Sequence, residues 1–519
     1  MKIIRRIALL FVSVLFVTVA AFAQKPTRLS WQEFAKDPNR VQSFRNAVAE
    51  MRVRSTAPQS SATFRKSWQY WASIHGYFGT TAKNKTVEEF RVKYGLTSPS
   101  LDQYFVGVDN TTPPDSIART VWDQCEHGTI YFFGWHRLFL FYFEQALQDA
   151  AGDPNLRLPY WDYTDTANLA MPAEFTTPTY VNTSGVTVDN PLYDARRNTG
   201  WNNGGTNKLN ANNTDIDRAL KNPSFLDTST AQGFQNVIDA SPHGYTHCAV
   251  NPCKRTVMGA VAYSSNDPIF WIHHANIDRM WDCWMSISGH TNPSSIMGKS
   301  YTLVDGTGTP VTKTIGNLFD GSLINYVYQQ ASNCQRATTP RVSAAPQTKR
   351  VQSARRMLAR PVTIGTLRNT LLDAAVTKKR VTLDATASLD HPRQFALDEQ
   401  SELPVATELI LRGIRFEEHP TTSINVFLER VDNPAERAFV GTISFFWEEA
   451  TGEETHHPQG EITRTFDATE ELRELDLEGT GGLNLNVVFE AIDEPIGPDF
   501  NPAEVKLTVD EIRFLVKRD

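Results

Sequence analysis

Apolar residues recur at helical spacing in the first half of the chain and at strand spacing near its end. Between Trp31 and Ala72, Phe44, Val48 and Met51 repeat at intervals of three and four, and Trp68, Trp71 and His75 continue the spacing. That rhythm predicts helices with one buried stripe, and it puts His75 among aromatic core positions. From Ile130 to Ala150 the chain is apolar nearly all round, through Phe132, Phe133, Trp135, Leu138, Phe139, Leu140, Phe141 and Phe143, as in a helix enclosed by a bundle. Ile272 to Met285 reads as an amphipathic, aromatic helix. Thr80 to Asp115 reads as irregular, and Leu158-Pro-Tyr-Trp-Asp-Tyr-Thr164 leads into a stretch rich in Asn, Thr and Gly up to Asp217, expected as a surface excursion.

The pattern changes beyond Asp320. No acidic residue falls between Asp320 and Asp373, while Arg336, Arg341, Lys349, Arg350, Arg355, Arg356 and Arg360 collect among Ala, Pro, Ser and Thr. Such a segment buries too little apolar surface to order itself, so 336–361 is expected to be an exposed, basic, protease-sensitive linker. Alternation then takes over: Leu483, Leu485, Val487 and Phe489, then Val505, Leu507 and Val509, then Ile512, Phe514 and Val516. Asp510-Glu511 shifts the phase of the last run as a bulge would. The expectation is a mainly α domain over 24–335 followed by an all-β sandwich over 362–519.

Length agrees, since 519 residues exceed one ordinary core. A net charge of -7 and a pI of about 6.0 give no concentrated basic surface, which excludes nucleic acid as the expected partner and favours a small molecule. The N-terminus has Lys2, Arg5 and Arg6, an apolar run from Ile7 to Phe22, and Ala21 and Ala23 before Gln24. This reads as a secretory signal peptide over 1–23, too short in its apolar run for a membrane span, so a secreted or periplasmic location without stable membrane association is expected. Arg5-Arg6 leaves the twin-arginine route open beside the general one. The five cysteines Cys125, Cys248, Cys253, Cys283 and Cys334 leave one without a disulfide partner in an exported chain.

Seven of the twelve histidines, His75, His127, His136, His243, His247, His273 and His274, lie in short aromatic segments. Taken singly, each is more simply a core histidine satisfied by hydrogen bonds. Taken together they suit metal. His243 and His247 share a helical face, and an all-imidazole donor set without carboxylates favours copper over magnesium, calcium or manganese. A pair of such ions supplies the two electrons that dioxygen chemistry requires. A zinc hydrolase also uses His-x3-His, but the Glu expected beside the first His is Gly244 here.

His127-x4-Phe132-x2-Trp135-His136-Arg137-x6-Glu144 and Asp267-Pro-x-Phe270-x3-His274-x3-Asp278 resemble the two signature motifs of the tyrosinase, catechol oxidase and molluscan haemocyanin superfamily. The resemblance implies a four-helix bundle holding two copper ions in a dinuclear type 3 site. His75, His127 and His136 would hold the first, and His243, His247 and His274 the second, with His273 a neighbour because adjacent helical side chains face apart. Cys125, two before His127, resembles the Cys-x-His thioether of fungal tyrosinases, while the plant counterpart of that cysteine is absent. Cys248 with Cys253 and Cys283 with Cys334 are then the pairing read from spacing. Tyr326-Val-Tyr328 is similar to the motif that closes the copper domain in this superfamily. Ala406 to Val431 and Val509 to Phe514 resemble the C-terminal domain of plant polyphenol oxidases, which covers the active site and acts as an intramolecular inhibitor until removed.

The activity implied by this resemblance is oxidation of o-diphenols to o-quinones with reduction of dioxygen to water, with ortho-hydroxylation of monophenols left open. The alternative is reversible oxygen binding of the haemocyanin kind, against which a single copper unit without repeats argues. Four residues are candidates for orienting or gating the phenol. Gly244 stands where many monophenolases carry Asn. Asp239 is either the carboxylate partner of a phenol-deprotonating water or a helix N-cap. Val261 matches a gate position where plant enzymes often place Phe. Cys248, next to His247, touches the substrate or forms part of the cleft wall.

Overall fold

The computed structural model describes residues 25–80, 85–228, 232–255, 257–330, 334, 362–383, 405–416, 420–446, 462–475, 483–492 and 506–518. The signal segment and the basic linker expected at 336–361 lie outside these.

Five helices position the histidines. Helix α1 (Pro38–Arg54) begins at Asp37, whose carboxylate accepts from the Asn39 amide, and buries Val41, Phe44, Ala47, Val48 and Met51 along the expected stripe. Ser67 caps α2 (Trp68–His75) through the Tyr70 amide. Helix α3 (Phe132–Ala151) is buried on nearly every face and stops at Gly152, in the left-handed conformation with φ 61°. Helix α4 (Tyr245–Val250) is short. Helix α5 (Pro268–Ser286) starts with Asp267 as cap and Pro268 in its first turn, so the Asp-Pro of the second motif is a helix-start signal. The α5 helix is closed in on all sides from Pro268 to Trp281, so the amphipathic expectation was too modest. Trp271 of α5 stacks on Phe143 of α3 with ring centroids 3.4 Å apart.

The motif residues that carry no imidazole form one buried charge network. Arg28 Nε donates to Glu144 at 2.8 Å and its Nη1 to Tyr328 Oη at 2.8 Å; Tyr328 Oη donates to Asp278 at 2.7 Å, and Arg137 pairs with the same carboxylate. Charges removed from water must be paired, so these side chains lock α3, α5 and the parallel pair Thr27–Arg28 with Val327–Tyr328 into one arrangement.

Two irregular expectations are corrected. Within Thr80 to Asp115 the chain forms the helix Val87–Lys93, started by a Thr86/Glu89 capping box, and a 3-10 segment Pro99–Phe105. Leu96, Leu101, Tyr104 and Phe105 give this region its own small apolar cluster. The stretch up to Asp217 is no loose excursion, because Phe175, Leu192, Trp201 and Leu209 insert into the main core.

The C-terminal residues form two antiparallel four-stranded sheets. With β1 (Val362–Leu372), β2 (Val376–Leu383), β3 (Val405–Phe416), β4 (Ile424–Arg430), β5 (Arg437–Ile443), β6 (Ile462–Asp467), β7 (Leu483–Ala491) and β8 (Leu507–Arg518), the orders are β5-β4-β7-β2 and β6-β3-β8-β1. Asp510-Glu511 makes no bulge. Val509 pairs with Thr370 and Ile414, and Glu511 with Arg368 and Arg412, so the register runs through unchanged. Opposite Asp510 in that register stand Asn369 at φ 49° and Gly413 at φ 67°.

The sandwich has an apolar core separate from the helical one, so each domain carries the core needed to fold by itself. The two dock through polar contacts and one apolar cluster. Asn213 Nδ2 donates to Asn425 at 2.8 Å and to Thr442, and Arg218 donates to the carbonyls of Val440 and Asp467 at 3.2 and 2.7 Å. Phe446, just past β5, packs on Ala240, Cys248, Cys253 and Val261.

Candidate metal centre

Four imidazoles are aimed by what their second nitrogen touches. His75, at the end of α2, directs Nδ1 to the Val261 carbonyl at 2.9 Å. His136, one turn into α3, directs Nδ1 to the Phe132 carbonyl at 2.8 Å. His247 on α4 does the same to Met258 at 2.8 Å. His243 Nδ1 lies 3.0 Å from the Asp239 carbonyl and 3.1 Å from its carboxylate. In these four, Nδ1 is occupied by an acceptor, which fixes the tautomer and leaves the Nε2 lone pair for another partner. Nε2 of His75 is buried with no hydrogen-bond partner.

The donor atoms fall into two sets. Those of His75, Cys125, His127 and His136 lie within 4.8 Å of one another, as do those of His243, His247, His273 and His274. The sets face each other: His136 stacks on His274 at 4.5 Å, and His127 on His243 at 5.3 Å. Burial, then the neighbouring imidazoles, drives the pKa of His127, His136, His247 and His274 well below the ordinary value, and that of His75 down to about 3. The rings are therefore neutral at physiological pH, the form that binds metal. His247 Nε2 and His274 Nε2 approach to 3.2 Å. A cation between such lone pairs satisfies what a hydrogen-bond network here leaves open, so the donor set fits a pair of copper ions.

His273 belongs to the second set by distance, yet its Nδ1 is 2.8 Å from Tyr163 Oη, which ties its ring to the segment after Leu158. Cys125 Sγ sits 3.3 Å from Nδ1 and 3.5 Å from Nε2 of His127. The sulfur is thus nearly equidistant from the two ring nitrogens and within contact of the carbon that joins them. Burial raises the Cys125 thiol pKa well above its usual value, keeping it an uncharged thiol and a poor metal ligand. The cysteines left over are joined as expected, Cys248 to Cys253 and Cys283 to Cys334, with Cα separations of 4.7 and 5.6 Å.

The substrate-orienting candidates gather on one side of this centre. Asp239 is fully buried at the C-terminal end of Phe234–Ile238, so the N-cap alternative does not hold. Its carboxylate accepts from the Gly128 amide at 2.8 Å, linking the loop after His127 to the segment that carries His243. Gly244 directly precedes α4, and Val261 holds His75 through its carbonyl. Cys248 and Val261 line the apolar cluster around Phe446.

Phe446 joins these residues through the fold alone. Its ring stacks on His247 with centroids 3.9 Å apart and planes at 8°, and lies 5.6 Å from His127 and 5.7 Å from His243. The signal for it in the sequence is the run Phe445-Phe446-Trp447 closing an alternating strand, where consecutive aromatics cannot all face one core. Phe445 faces the sandwich core and Phe446 the histidines.

Residues 65–287 match the family model described as the common central domain of tyrosinase. A tyrosinase of Hahella sp. is 29% identical over 326 residues, which are 58% of this chain and 63% of the relative. A haemocyanin of Enteroctopus dofleini is 30% identical over 225 residues, 39% of this chain and 7% of that long protein. The chain thus spans less than two thirds of the length of these curated relatives. Over both domains the fold is similar to that of a latent aurone synthase (polyphenol oxidase), with a TM-score of 0.56 at 20% identity, covering 95% of this chain and 91% of that one.

Proposed function

We propose, for a chain that belongs through its central domain to the tyrosinase family and has that family's type 3 dicopper site, that it oxidises o-diphenols to o-quinones with reduction of dioxygen to water and is latent while its C-terminal domain is docked. His75, His127 and His136 would hold one copper ion, and His243, His247 and His274 the other. A copper pair so held supplies two-electron chemistry with dioxygen. The observation that carries latency is the Phe446 ring, flat against His247 where an aromatic substrate must lie to reach both sets. While it stays there a phenol is excluded. Removing the sandwich domain through the basic linker is the proposed release.

A preference for diphenols is supported by Asp239 and Gly244. A general base needs reach and a spare acceptor, but the Asp239 carboxylate is turned to the Gly128 amide and to His243, and Gly244 has no side chain to orient a water. We further propose that Cys125 Sγ is bonded to the ring of His127. Forming that C–S bond removes one hydrogen from sulfur and one from carbon, a two-electron oxidation that balances if dioxygen takes both hydrogens as hydrogen peroxide. The bond would fix an imidazole that sits on a loop. Export is the proposed fate of the chain, on the N-terminal signal, and two disulfides agree with an oxidising compartment. Among the described residues no helix is long and apolar enough to cross a membrane.

The test is turnover of 4-methylcatechol by trypsin-treated protein loaded with copper, stripped, and reloaded with copper or zinc. Oxidation that returns with copper alone supports the reading. Dioxygen binding without any turnover, in protein freed of its C-terminal domain, would favour the carrier alternative.

A further inference from the structure

We infer that the site takes catechols bearing a carboxylate two carbons from the ring, the 3-arylpropanoates, and that Lys254 binds that carboxylate. The inference rests on the diphenol-oxidase reading and names its substrate class.

From ring to backbone carbonyl, Phe446 is itself a 3-phenylpropanoyl group: an aromatic ring, two sp3 carbons and a C=O. The ring end stacks on His247 at 3.9 Å. The carbonyl end accepts a hydrogen bond from Lys254 Nζ at 3.0 Å. The residue that fills the site thus meets an aromatic platform and a cation at the spacing its own skeleton sets. Lys254 is buried, and its ammonium lies 5.2 Å over the Tyr94 ring, a face that favours positive charge. Its position is built in. The residue is in the left-handed conformation, φ 63°, its amide donates to the Gly259 carbonyl at 2.7 Å, and the preceding residue, Cys253, is pinned by the disulfide to Cys248. Cys248 in turn adjoins His247, so one short cross-linked loop sets the distance from ammonium to imidazole.

A peptide carbonyl is a neutral acceptor. A carboxylate in its place makes the same hydrogen bond with charge on both sides, which strengthens it. Once Phe446 leaves, a catechol whose chain reproduces ring, two carbons and carboxylate matches both contacts. A carboxylate attached directly to the ring does not reach.

The test uses the copper-loaded full chain treated with trypsin. Rates are compared for 3-(3,4-dihydroxyphenyl)propanoate, its methyl ester, 3,4-dihydroxybenzoate and 4-methylcatechol, in the parent and in Lys254→Met. We expect KM for the propanoate to rise about tenfold in Lys254→Met with kcat little changed, and the other three substrates to be unmoved. Lys254→Arg should keep most of the preference. Independently of turnover, calorimetry on the parent should show 3-phenylpropanoate bound about tenfold more tightly than 3-phenylpropanol. The inference is overturned if the acid and its ester respond alike to Lys254→Met, the result expected of a lysine that only anchors the C-terminal domain, or if acid and alcohol bind equally. Should Lys254→Met lose 4-methylcatechol activity as well, the calorimetric comparison and Lys254→Arg decide. Should the parent fail to oxidise 4-methylcatechol, the oxidase reading falls, while calorimetry still decides the role of Lys254.

Discussion

At His75 the carbonyl of Val261 settles which nitrogen faces the centre, and the same device recurs at His136 and His247 with Phe132 and Met258. Each ring is an acceptor toward the middle, so removing one removes a ligand and leaves the rest in place. His136→Ala should bind about one copper ion where the parent binds two, measured by metal analysis of purified protein, since a three-histidine set loses most of its affinity with one member. Neutral rings also set a pH dependence. The His75 pKa falls from 6.5 to about 3 on folding, with His127, His136, His247 and His274 lowered likewise. Between the two values the unfolded chain holds more protons than the folded one, so stability rises with pH across that window and is lost as pH falls. The urea midpoint of metal-free protein should therefore drop steadily from pH 7 toward pH 4, and a flat midpoint would contradict neutral burial. At Cys125 the copper-loaded parent should yield a cross-linked Cys125–His127 peptide lighter by two hydrogens in mass spectrometry. Cys125→Ser should yield none.

Among the elements, α3 and α5 carry the site because they meet without a gap. Gly134 permits a close approach of α3 to the 3-10 segment Ile315–Leu318, since a Cβ there would run into the Ile315 side chain. Gly134→Ala should destabilise the protein by about 1–3 kcal/mol through overpacking, seen as a lower melting temperature, although alanine is the better helix former. Between the domains, Asn213→Ala removes the bonds to Asn425 and Thr442 and should weaken docking by about 1–3 kcal/mol. The expected readout is activation of the untreated chain at lower urea than the parent requires. The long helices were legible in the sequence because their stripes run for several turns with clear start signals at Asp37 and Asp267. The two-turn helix Val87–Lys93 was not, since it buries none of its own residues fully and its support, Leu96 to Phe105, comes later in the chain. The phase shift at Asp510 is visible in the sequence, but the left-handed residues opposite it, Asn369 and Gly413, stand on strands far away in the chain.

For the whole molecule, the histidines and Cys125 could be found from sequence because each stands inside a short local pattern. Asp239 has two roles open to it in the sequence, and only the fold shows its carboxylate reaching across to Gly128. Phe446 is marked only by the aromatic run it stands in, and Lys254 by no local pattern, because their meeting depends on how a β-sandwich docks on a helical domain. That docking is the central claim: one aromatic ring from the second domain occupies the place of a phenol on the first. The most direct test assays the copper-loaded full chain on 4-methylcatechol and on tyrosol before and after limited trypsin treatment. A blocked centre predicts little turnover beforehand, a large rise afterwards, and faster oxidation of 4-methylcatechol than of tyrosol. Full activity in the untreated chain would contradict latency, and equal rates on the two substrates would contradict the diphenol preference.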